Sequence, residues 1–178
     1  VTHAVEAYVS RRANPVTDAL ALEALRLLVR HLPEACKTSA DRQAFNQCLL
    51  AAAMAGLAFN TAQLGLAHAI SSPLGGDRWK IAHGLGNALC LPAVMRFNAA
   101  AIGEKEGVLA DILGAVNSAA GLEELKSAIG LTARLGDWLQ DQNAIRAVAE
   151  ASMTSGQVSN NPRTASVADI EMIIHDAL

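Results

Sequence analysis

Apolar residues recur every three to four positions along most of the chain, and the recurrence breaks at clusters of Pro, Gly, Asn and Asp. That pattern predicts a succession of helices. Residues 2–10 read as the end of a helix, followed by a polar break at Arg11, Arg12, Ala13 and Asn14. Asn14-Pro15 then offers an N-cap with Pro at the first helical position. Across residues 16–31, Leu20, Ala24, Leu27 and Leu28 keep helical spacing while Arg26 and Arg30 face elsewhere, and Leu32-Pro33 disturbs the end of the run. A long run from Ser39-Ala40-Asp41 to about residue 71 sets Leu49, Ala53, Gly56 and Leu57 on one side, with small residues nearly all round. It predicts one helix buried among others.

Pro73-Leu74-Gly75-Gly76-Asp77 stops that run, and with no steady period up to residue 82 the stretch reads as a loop. Helical spacing resumes over residues 84–98 through Leu85, Ala88, Leu89, Leu91 and Val94, with Pro92 either kinking the helix or marking its first turn. Shorter helices are predicted over residues 105–116, 122–129, 143–153 and 167–177. Gly121 caps the second of these, Asp141 and Ser166 the last two, and residues 155–163 form a polar loop. With no repeat and no linker, one helical domain accounts for the whole chain.

Composition sharpens this to an all-α class. Of 178 residues, 36 are Ala, and aromatic residues are only 3%, so β-branched and aromatic side chains are too sparse to fill a set of strands. Lys+Arg number 14 against 17 Asp+Glu, a formal charge of −3, with no basic run interleaved with aromatics; nucleic acid is not an expected partner. The most apolar stretch, residues 49–58, is flanked by Asn46, Gln47, Asn60 and Gln63 and falls short of the roughly 20 apolar residues a bilayer requires. A soluble chain without a membrane partner is expected. Cys36, Cys48 and Cys90 are odd in number and lack CxxC spacing, which suits reduced thiols in a cytoplasm. The chain opens on VTHAVEAYVS with neither an initiator Met nor a charged leader, as if cut from something longer.

Chemistry centres on histidine. Of His3, His31, His68, His83 and His175, His68 closes a helical run and His83 opens the next, so the loop between them could fold the second imidazole back toward the first. Three imidazoles and one carboxylate would suit Fe, Zn, Ni or Cu and leave an open position. The spacing of His68 and His83 alone matches no standard ligand motif, and a His in apolar text is more often a hydrogen-bonded core residue. No local carboxylate completes the set: a same-face partner one turn before His3 would precede Val1, while Glu6 lies three residues onward. His31 and His175 fall near helix C-termini and read as structural. Ser72, one turn after His68, either caps or reaches a ligand, and Phe59 either packs in the core or walls a pocket. Gly75-Gly76 and Gly84-Leu85-Gly86 match no nucleotide fingerprint, and no nucleophile signature is present.

Three stretches together carry a family resemblance: THAVEAYVSRRANPVTDALALEAL at residues 2–25, AGLAFNTAQLGLAHAISSPLGG at 55–76 and AHGLGNALCLPAVMRFN at 82–98. They resemble the iron-containing alcohol dehydrogenases, and Asn160-Asn161-Pro162-Arg163 with Ala168-Asp169-Ile170 is similar to the end of that family. The resemblance implies a helical bundle like the family's C-terminal domain, a dehydroquinate synthase-like α domain, spanning residues 1–178. An N-terminal α/β domain binding NAD or NADP would stand upstream.

It also implies a metal site, Fe²⁺ or Zn²⁺, with His3, His68 and His83 as three of its ligands. The family's Asp, four residues before the first His, would lie upstream of Val1. Ala82 stands where the family usually has Pro, the loop between His68 and His83 looks one residue longer than in common members, and Ser72 stands where another His is frequent. Phe59 resembles a position lining the substrate pocket, and with Ser72 it makes up the expected substrate contacts.

The implied activity is NAD(P)-dependent interconversion of an alcohol and an aldehyde or ketone, the metal acting as Lewis acid, in a cytoplasmic homodimer. This chain alone would be inactive, and metal loading would fall in acid as the imidazoles protonate; loading unchanged from neutral pH to about pH 5 would contradict that. A free-standing helical metal-binding or oligomerisation module without catalysis is the alternative. A bundle whose histidines are only structural leaves the collinear resemblance unexplained.

Overall fold

A computed structural model describes residues 1–37 and 41–178 of the chain. Among the described residues the regular elements are helical, with no strand: α1 (Thr2–Val9), α2 (Pro15–Lys37), α3 (Arg42–Ala62), α4 (Leu66–Leu74), α5 (His83–Asn98), α6 (Glu104–Leu113), α7 (Ser118–Ala128), α8 (Gln142–Ser152) and α9 (Val167–Asp176). Short 3-10 turns lie at Ala99–Ala101, Leu135–Asp137 and Gly156–Asn160. The all-α architecture is as expected from composition.

Several starts follow the expected capping chemistry. Oδ1 of Asn14 accepts from the backbone N–H groups of Val16 and Thr17 at 3.0 and 3.2 Å, and the Asn14 N–H returns a bond to Oγ1 of Thr17 at 2.9 Å. Asp141 caps α8 through Ala144 N–H at 2.7 Å, and Ser166 and Asp169 form a reciprocal capping box on α9. Asp41 caps α3 through Ala44 N–H at 2.9 Å; the expected start at Ser39-Ala40 lies outside the described residues.

Several sequence expectations are corrected. Pro33 lies inside α2, which continues to Lys37: the ring removes one N–H from the helix, and the turns on either side persist without it. Pro92 likewise sits mid-helix in α5, not in its first turn. The start of α7 belongs to Asn117, whose Oδ1 accepts from Ala120 N–H at 2.8 Å, and Gly121 falls inside the helix. There it permits close packing, since a Cβ on Gly121 would stand 2.4 Å from Cβ of Leu113.

The largest correction concerns the run expected to reach residue 71 as one helix. It breaks at residues 63–65, and α4 leaves α3 at 105°. Gln63 takes a positive φ of 62° while its N–H closes on the Phe59 carbonyl at 2.7 Å, ending α3 in a tight turn. Nor is α3 buried all round: Leu49, Ala53 and Leu57 are exposed, whereas Ala44, Ala51, Ala55, Ala58 and Ala62 are buried. Small alanines allow backbones to approach, and α3 packs along α2 and α1 with that face. No single helix among the described residues is long and apolar enough to cross a membrane.

What α3 releases, α4 uses. Leu66, Ala67, His68, Ala69, Ile70, Ser71 and Leu74 are all buried, so most of α4 runs through the interior, packed against α5 and α8. The hydrophobic core it joins also contains Leu91 and Met95 of α5 and Ile170 and Ile174 of α9.

Candidate functional site

The 105° turn decides where His68 points. It is the third residue of α4 instead of the tail of a long helix, and it is buried at 6% exposure. His3 comes from the first turn of α1, and His83 is the first residue of α5, at the far end of the loop over residues 75–82. One nitrogen from each imidazole falls within 4.8 Å of the others. The rings of His3 and His68 stack at 4.7 Å between centroids, and His83 tilts against His68 at 5.3 Å.

Each ring is held from behind. Oε2 of Glu6, one turn along α1 from His3, lies 2.5 Å from Nδ1 of His68, and both residues are buried. The second oxygen, Oε1, accepts from Ala67 N–H at 2.6 Å. Gly65 caps α4 without a side chain, so this carboxylate supplies the acceptor that the helix start lacks, where negative charge is favoured. Oδ1 of Asn161 adds a longer contact from Leu66 N–H at 3.4 Å and is fixed by a reciprocal amide pair with Asn98. Gly65 is required by this crowding: a Cβ there would stand 2.9 Å from Oδ1 of Asn161 and 3.2 Å from Oε1 of Glu6.

His83 is steadied differently. Oγ of Ser71 donates to Oδ1 of Asn87 at 2.8 Å, and the Asn87 amide meets Nε2 of His83 at 3.0 Å. Gly86 makes the crossing possible, since a Cβ there would lie 3.2 Å from Cβ of Ser71. His3 stacks on Phe59 at 4.4 Å, and burial first, then the neighbouring His68 charge, push its pKa down to about 4.

One atom in this arrangement has no partner. Nε2 of His68 is buried and makes no hydrogen bond among the described residues, although an orphaned polar atom in an interior is costly. It belongs to a cluster of three imidazoles, the donor type that divalent transition metals favour, so the residues present fit a metal. Ser72 is exposed on the last turn of α4, and its side chain makes no hydrogen bond among the described residues.

The comparisons with known proteins agree with the motifs. Residues 1–178 match the family described as Fe-containing alcohol dehydrogenase family, C-terminal. The chain belongs to the iron-containing alcohol dehydrogenase family. Within that family it is 36% identical over 188 residues to a 1,3-propanediol dehydrogenase of Klebsiella pneumoniae, covering 99% of this chain and 48% of that protein. It is 34% identical over 189 residues to an NAD-dependent methanol dehydrogenase of Bacillus methanolicus, covering 100% of this chain and 49% of that protein. A crystal structure of a 1,3-propanediol oxidoreductase superposes with a TM-score of 0.94 at 36% identity, over 99% of this chain and 49% of that one. The chain thus spans about half the length of the curated relatives it matches.

The sequence pointed to the three histidines of this family member but not to Glu6, Asn87, Ser71, Gly65 and Asn161 as their supports. A signal for Glu6 was present, since a Glu three residues after His3 shares its helix face. Asn87 likewise lies one turn after His83 on α5, whereas none existed for Ser71 or Asn161, whose partners depend on how α4 crosses α5 and meets the segment after Gly156–Asn160.

Proposed function

We propose that the chain is the metal-holding helical half of an alcohol dehydrogenase that interconverts an alcohol and an aldehyde or ketone with NAD or NADP. His3, His68 and His83 hold a divalent cation, Fe²⁺ or Zn²⁺, and an upstream Asp is the fourth ligand. The observation that carries this reading is the buried, unpartnered Nε2 of His68 within the three-imidazole cluster. A cation bound there would supply Lewis acidity toward a substrate oxygen.

The chain's own residues bind and orient. Glu6 fixes the His68 ring, Asn87 the His83 ring, and the stack of Phe59 on His3 fixes the third. The same Phe59 ring gives the pocket an apolar wall for the carbon skeleton of the alcohol, and the exposed Ser72 hydroxyl offers a polar contact. The nicotinamide is held by an N-terminal α/β domain outside this chain, which accounts for relatives twice as long, and the fragment alone does not turn over. The whole protein works as a homodimer in the cytoplasm, in keeping with the prevalence of two-fold assemblies and with reduced cysteines.

The test joins the chain to the upstream nucleotide domain encoded with it. Alcohol-dependent reduction of NAD or NADP is then assayed with and without His83→Ala. Loss of activity together with loss of bound metal is expected; equal rates would remove the metal role.

A further inference from the structure

Family membership makes the histidines candidates for ligands, yet it assigns no role to the buried acid behind them. We propose that Glu6 is a positioning residue for the metal site: it holds the proton of His68 on Nδ1 and so keeps the Nε2 lone pair turned into the cluster. The inference rests on the metal reading above. Both oxygens of Glu6 face donors whose identities are set by the fold. Oε1 takes the Ala67 N–H at 2.6 Å, a bond that only an acceptor can make. Oε2 lies 2.5 Å from Nδ1 of His68, and an acceptor there requires Nδ1 to be the N–H. In a neutral imidazole the other nitrogen is then the bare one, and that nitrogen is the buried Nε2 without a hydrogen bond.

The geometry also explains why the acid is Glu and why it comes from α1. Gly65 leaves the start of α4 without a capping side chain, and the space a Cβ would fill is taken by Glu6 and Asn161. A single carboxylate therefore caps the helix that carries His68 and orients the ring of His68 itself. Since His3 shares α1 with Glu6, the same short helix supplies one imidazole and aligns a second.

Glu6→Gln separates orientation from bulk. The amide is isosteric, but Ala67 N–H still demands an oxygen, so the Gln NH₂ must turn toward Nδ1 of His68. A donor now faces Nδ1, the imidazole proton moves to Nε2, and an N–H points into the cluster.

Two measurements on the 178-residue chain test this, with Co²⁺ as the probe. Nitrogen NMR of the metal-free chain is expected to find His68 protonated on Nδ1, and on Nε2 in Glu6→Gln. Titration with Co²⁺, followed by its visible absorption, is expected to show affinity falling roughly 10–100-fold in Glu6→Gln. A native His68 protonated on Nε2 overturns the proposal, and so does a folded Glu6→Gln chain with unchanged Co²⁺ affinity. If Glu6→Gln does not fold, the native tautomer decides alone. A native chain that takes up no Co²⁺ would sink the metal reading, whereas the tautomer would still judge Glu6.

Discussion

His3 sits between Phe59 and His68, and its surroundings disfavour a charge. Burial and the neighbouring imidazole lower its pKa from 6.5 to about 4, so between those values the unfolded chain binds a proton that the folded chain refuses. Stability from this group is fully present above about pH 6.5 and is lost as pH falls toward 4. The unfolding midpoint of the metal-free chain should therefore decline across that window, and His3→Asn should flatten the decline. An equally steep fall in the variant would assign the acid sensitivity elsewhere. Contrast Cys90, pushed up to about 12 by burial and then by the Glu6 charge: a thiol so placed is core filling.

At the scale of elements, the ends of helices separate two kinds of glycine and asparagine that look alike in the sequence. Asn117 caps α7 from an extended conformation, while Gly121 lies one turn inside and touches Leu113 of α6. Asn117→Ala should cost about 1 kcal/mol by denaturant unfolding, the ordinary worth of an N-cap. Gly121→Ala should cost more, about 1–3 kcal/mol, because the added methyl overlaps a packed side chain despite the better helix propensity of Ala. Were Gly121 the cap, the order would reverse. Helix starts with Asn14, Asp141 and Ser166 were legible because their side chains bond within three residues. The break at residues 63–65 was not, since Gln63 has no composition that announces a positive φ, and the acceptor that lets α4 restart comes from Glu6, sixty-one residues from Ala67.

For the molecule as a whole, the two sides of the α3–α4 pair bear unequal weight. Leu57 on α3 is 64% exposed, whereas Ile70 on α4 is fully buried. Leu57→Gln should change stability by no more than about 0.5 kcal/mol, and Ile70→Ala should cost about 2–5 kcal/mol; both are read by urea unfolding. A large loss at Leu57 would mean that α3 is packed the other way round. Sequence by itself determined the all-helical class and most helix limits to within a turn, because propensity and capping are local, and through its family resemblance it pointed to the three histidines. It could not determine which face of α3 is covered, since Leu and Ala stripes are both apolar and only the neighbours α1 and α2 choose between them. Tertiary structure alone decided that α4 turns inward, that Glu6 reaches both the Ala67 amide and the His68 ring, and that Ser71 of α4 meets Asn87 of α5. Those are contacts between residues distant in the chain, and their geometry follows from helix crossings that no local pattern encodes.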